Sequence, residues 1–77
     1  MDKKEFNIKL GAFIKKKRLE KKWSQEKLAD EINNNFQNIS RLERGLTSPT
    51  LFWLNNLSNA FNMTLDDFVS EFSKTLK

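Results

Sequence analysis

A chain of 77 residues buries a core only just large enough to hold it, so one domain is expected. Cysteine and histidine are both absent, which removes disulfides, thiolate chemistry, the commonest general base and the commonest metal ligand; no enzyme, metal site or cofactor is expected. The net charge of +4 is unevenly placed, with 12 Lys/Arg against 7 Asp/Glu in residues 1–45 and 2 against 3 in residues 46–77, so the positive field lies on the amino-terminal part, as a phosphate-facing surface requires.

Met1 to Asn7 is polar apart from Phe6 and is expected to fray or form an arm. Leu10 to Lys21 reads as a first helix, because Leu10, Phe13, Ile14 and Arg18 recur at helical spacing. Lys15 to Lys22 is heavily basic, which fits either cations at a helix C-terminus or lysines on phosphate. Arg18 falls on the apolar stripe, where its charge must find a partner or snorkel to water.

Ser24 to Gly45 reads as two short helices joined by a tight polar turn. Ser24 is an N-cap candidate, with Trp23 and Leu28 as a hydrophobic staple and Glu26 in the first turn. Leu28, Ala29 and Ile32 share one face, and Asn33, Asn34 and Asn35 then mark a turn, since asparagine tolerates the left-handed backbone. Asn35 is the next N-cap candidate, and Gly45 supplies a left-handed exit. Between them only Ile39 and Leu42 are spaced to face inward, so Phe36, Gln37, Ser40, Arg41 and Arg44 are left for display. Gln pairs with adenine, Arg with guanine, and an apolar group meets a thymine methyl. Phe36 either does the last or folds back over the turn. Two such helices are the helix-turn-helix solution to entering a major groove.

Ser48 followed by Pro49 signals the start of a fourth helix, with Leu51, Leu54, Leu57, Ser58 and Phe61 facing inward and Phe52 and Trp53 off that stripe. Asn62 ends it in the left-handed conformation. Thr64 caps a fifth helix to about Leu76, with Asp66 and Asp67 in its first turn and a staple from Met63 to Phe68. Leu65, Phe68, Val69, Phe72 and Leu76 form an apolar stripe longer than docking on a small bundle needs. A homodimer is therefore expected, built on Val69, Phe72 and Leu76 with help from Phe52 or Trp53. The fold class is all-α, five short helices in a compact bundle.

The pieces Ser24-Gln25, Leu28-Ala29 and Ile39-Ser40-Arg41-Leu42-Glu43-Arg44-Gly45, with Arg18 upstream, resemble the Cro/cI-type (XRE, lambda-repressor-like) helix-turn-helix regulators from about Leu10 to Phe68. Three positions depart from that pattern: Lys22 and Asn33 stand where glycine is usual, and Asn34 where a small aliphatic plugs the turn. The resemblance implies an Arg18–Glu43 pair tying the first helix to the recognition helix. It also implies Gln25 on a phosphate. Asn35, Asn38 and Arg44 are expected as further phosphate contacts, Asn38 and Arg44 being otherwise solvated. Phe36, Gln37, Ser40 and Arg41 are the expected base contacts. The expected protein is a homodimeric transcriptional regulator on a palindromic DNA operator, resembling restriction–modification controllers or small phage repressors, and governed by its own concentration, not by a small-molecule ligand. The alternative is an antitoxin or adaptor that keeps the fold without specific DNA binding. No long apolar run, signal peptide or lipidation motif is present, so a cytoplasmic protein without membrane association is expected.

Overall fold

The computed structural model describes Met1–Lys77 as five helices and no strand: α1 Lys3–Glu20, α2 Gln25–Glu31, α3 Phe36–Glu43, α4 Leu51–Ala60 and α5 Leu65–Thr75. None is long and apolar enough to cross a membrane.

Each helix begins and ends on local chemistry. Asp2, Ser24, Asn35, Thr50 and Thr64 stand at the five N-caps, and each side-chain oxygen accepts from the backbone N–H three residues on. The first four helices leave through the same device, a left-handed residue just past the helix. These residues are Lys22, Asn33, Gly45 and Asn62, with φ of 59°, 55°, 76° and 59°. The next residue's N–H then reaches back to the third-last helical carbonyl: Trp23 to Arg18 at 3.2 Å, Asn34 to Ala29 at 2.8 Å, Leu46 to Arg41 at 2.9 Å and Met63 to Ser58 at 2.9 Å. Glycine takes that place only once.

Two helix starts differ from the sequence expectation. The first seven residues are not a frayed arm, because α1 begins at Lys3 on the Asp2 cap. Two distant partners hold this turn and a half. Phe6 packs edge-on against Phe72 at 5.4 Å, and the buried Asn7 accepts a hydrogen bond from the Ser48 hydroxyl at 2.9 Å. With Ser48 so engaged, α4 starts two residues later than expected, on Thr50, and Leu51 projects into solvent.

One cluster of twelve buried apolar residues joins all five helices, among them Ile14, Leu28, Ile39, Leu57 and Phe68. Phe13 sits at its centre, 5.2 Å from Phe68 and 5.5 Å from Phe72. Phe72 is therefore a core residue, 6% exposed, and not the dimer contact expected of it. Its burial within the monomer contributes about 1.5–3 kcal/mol. Trp53 and Leu76 also lean on the core, half-buried, whereas Phe52 and Val69 stay 75% and 46% exposed.

The crossing of α1 on α3 positions the site. A Cβ added at Gly11 would lie 2.4 Å from the Leu42 carbonyl oxygen and 2.6 Å from that of Glu43. The two backbones touch there, which only glycine permits.

Candidate nucleic-acid interface

α3 is held from behind and presented in front. Ile39 and Leu42 are fully buried in the core, which turns Gln37, Arg41 and Arg44 out to solvent with Ser40 half-buried between them. Phe36 is 44% exposed at the first helical position. The Arg44 Nε donates to the Ser40 carbonyl at 3.3 Å, which lays this side chain along the helix while its terminal nitrogens remain free. These five groups share one face of about two turns, with donors, acceptors and an apolar ring and no carboxylate among them. That inventory suits base edges and phosphates.

Glu43, the carboxylate at the end of α3, is turned inward instead. Arg18 meets it with both Nε, 2.7 Å from Oε2, and Nη2, 3.0 Å from Oε1. Both side chains are buried, so the bidentate geometry is what makes their desolvation tolerable. The remaining Arg18 Nη1 donates to the Trp23 carbonyl at 2.7 Å. One guanidinium thus joins α1, the α1–α2 link and α3. Gln25 extends the cluster, donating its Nε2 to Glu43 Oε1 at 3.1 Å. This side chain, expected on a phosphate, has one of its amide hydrogens committed inward. The second amide hydrogen and the backbone N–H at the start of α2 have no partner within the chain.

The turn before α3 is closed by polar groups. Asn34, half-buried, accepts at Oδ1 from the Asn35 N–H and from the Asn38 side-chain amide, both at 2.8 Å. Asn35 Oδ1 in turn accepts from the Asn38 N–H at 2.9 Å. An asparagine ladder stands where an aliphatic plug would sit. Asn35 and Asn38, expected on phosphates, each have one polar group bound into this ladder.

A further cationic edge escaped the sequence reading. At 100° per residue, Lys4 and Lys15 both lie within about 40° of Gly11 round α1, on the side that the end of α3 and the following chain cross. The lysine block alone did not reveal which of its members face α3; the isolated Gly11 within a helical run was the available sign of a close approach.

The chain matches the model of a family described as helix-turn-helix, HTH_3, over residues 14–68. It has no significant match among curated proteins. Among solved structures it is similar to the clp gene regulator ClgR of Corynebacterium glutamicum. In one structure of that regulator the TM-score is 0.80 at 23% identity, over 90% of this chain and 73% of the other. In a second the TM-score is 0.79 at 22% identity, over 92% of each. It is also similar to an HTH_3 family transcriptional regulator of Vibrio cholerae, with a TM-score of 0.82 at 19% identity over 97% of this chain and 42% of that one. At these identities the likeness is one of fold; the family match, which spans most of the chain and encloses α2, α3 and the Arg18–Glu43 pair, assigns this protein to the HTH_3 helix-turn-helix family.

Proposed function

We propose that this protein is a homodimeric transcriptional regulator that inserts α3 into the major groove of a palindromic operator and acts as a repressor or controller by occupying it. The observation that carries this is the exposed, carboxylate-free face of α3, held rigidly from behind by the Gly11 backbone contact and the buried Arg18–Glu43 pair. Gln37, Ser40 and Arg41 read base edges, and Phe36 meets a thymine methyl. Arg44, the backbone N–H groups at the start of α2, and the free amide atoms of Asn35 and Asn38 take phosphates. Two copies related by a two-fold axis put their α3 helices about 34 Å apart. The exposed Val69 and Phe52 are the apolar groups left to support such a pairing, with Phe72 inside the core, Leu76 on its rim, and Trp53 packed against it.

Selection from a random duplex library at moderate salt, read by sequencing, tests this directly. Two inverted half-sites with centres about ten base pairs apart are expected. A single half-site would keep DNA readout and remove the symmetric dimer. Weak, salt-sensitive retention without enrichment would favour an adaptor that binds protein through Phe36 and Phe52.

A further inference from the structure

The outward face of α1 carries an apolar ridge between two rows of lysines that the core leaves uncovered. Going round the helix at 100° per residue, Lys4 and Lys15 form one border. Ile8, Leu19 and Ala12 then make a ridge, and Lys16 and Lys9 form the opposite border. Ile8 is 49% exposed and Leu19 52%, and Ala12 is open to solvent. The chain at Gly45 abuts Ile8 at one end of the ridge, and the next residue, Leu46, is exposed. None of the four lysines takes part in the molecule's ion pairs. Glu5 is the one carboxylate on this face; Glu20, at its far edge, is held 3.6 Å from Lys17.

We infer that this face of α1 docks an acidic amphipathic helix of a protein partner, its apolar side chains on Ile8, Ala12 and Leu19 and its carboxylates against the two lysine borders. Charge complementarity selects the occupant. A duplex backbone would engage the lysines but gains nothing from an apolar ridge standing between them, while a partner helix with leucines along one stripe and glutamates beside it engages both. The straight run from Lys4 to Leu19 accepts about four turns of such a helix. Because Lys4 and Lys15 lie on the side of α1 that the end of α3 crosses, the bound partner cancels positive potential near the recognition helix and weakens DNA binding. That consequence rests on the DNA reading proposed above; the docking itself does not.

The test uses no DNA. The full chain is titrated into a fluorescein-labelled, side-chain-stapled helical peptide of about 18 residues with leucines at i, i+4 and i+11 and glutamates on both flanks, and anisotropy is read at low salt. Saturable binding is expected, weakened at least about tenfold by Leu19→Glu and, as a second variant, by Ala12→Glu. Ser73→Glu, the same charge change on exposed α5, should shift it less than about twofold. Both α1 variants alter exposed positions, and circular dichroism verifies that they remain folded. Three results would overturn the proposal: equal weakening by Ser73→Glu, equal affinity for a peptide of the same composition with its leucines scrambled off the stripe, or absence of peptide binding. Leu19-dependent binding to phosphatidylglycerol vesicles without binding to the peptide would assign the face to lipid and overturn it as well.

Discussion

The Arg18–Glu43 pair turns a residue-level requirement into the placement of a helix. Removing one member of a buried ion pair leaves the other charge unsolvated, at a cost of about 3–5 kcal/mol. Glu43→Leu should therefore lower the unfolding free energy by about 3 kcal/mol in a urea titration. Combining it with Arg18→Met should recover at least half of that loss, because no unpaired charge remains. A loss below about 1 kcal/mol for the single substitution would mean that water already reaches the pair. The pair was legible in the sequence because Arg18 sits on an apolar stripe and the family pattern supplies its partner. The third member, Gln25, was not. A surface glutamine at a helix start looks the same in sequence whether its amide faces out or in.

At the scale of the element, most starts and stops were legible because caps and left-handed exits are written in three or four adjacent residues. Ser24, Asn35, Thr64, Asn33, Gly45 and Asn62 all act where local chemistry places them. The start of α1 was not legible because what stabilises it is remote: Phe6 needs Phe72, and Asn7 needs Ser48, 41 residues away. Gly11 is the most exacting position in the helices. Alanine there improves helix propensity by about 1 kcal/mol but drives a methyl into two backbone carbonyls that cannot give way. Gly11→Ala should destabilise the fold by about 2 kcal/mol net and weaken DNA binding through displacement of α3, measured by thermal melting and by titration. A raised melting temperature would contradict the close crossing.

The other end of α1 is tied to α5 by Lys17, which donates to Glu71 and lies 3.6 Å from Glu20. The hydrogen bond to Glu71 raises the Lys17 pKa above its ordinary 10.5, partial burial opposes the rise, and the charges of Glu71 and Glu20 add to it. A folded pKa above the unfolded one means that the contribution is fully present below 10.5 and is lost as pH climbs through the folded value. Lys17→Met should thus lower stability slightly and by a constant amount, about 0.5 kcal/mol, between pH 6 and 9. The difference should shrink only in strongly alkaline solution. A difference that already varied between pH 6 and 8 would point to another group.

Over the whole molecule, the sequence gathers the cations in residues 1–45, and the fold distributes them over the length of α1 and the exposed side of α3. Periodicity marked the apolar stripe of α5 but could not say whether the same chain or a second copy covers it. Phe72 lies in the core because Phe6 and Phe13 close over it, and those partners come from a stretch expected to fray and from a different helix. Of the five residues expected at the dimer seam, only Val69 and Phe52 stay exposed. The outward face of α3 was legible because Ile39 and Leu42 are its only apolar residues at inward spacing, and the family pattern turned Glu43 inward beside them.

The most direct measurement compares Arg41→Ala with the unaltered protein on the duplex recovered by selection and on a random duplex, across a range of salt. Readout by α3 predicts a loss of about 1–3 kcal/mol on the selected duplex, relaxed preference at one base pair, and a much smaller loss on the random one. Equal losses on both duplexes would show that Arg41 meets only phosphate, and that α3 does not read sequence through it.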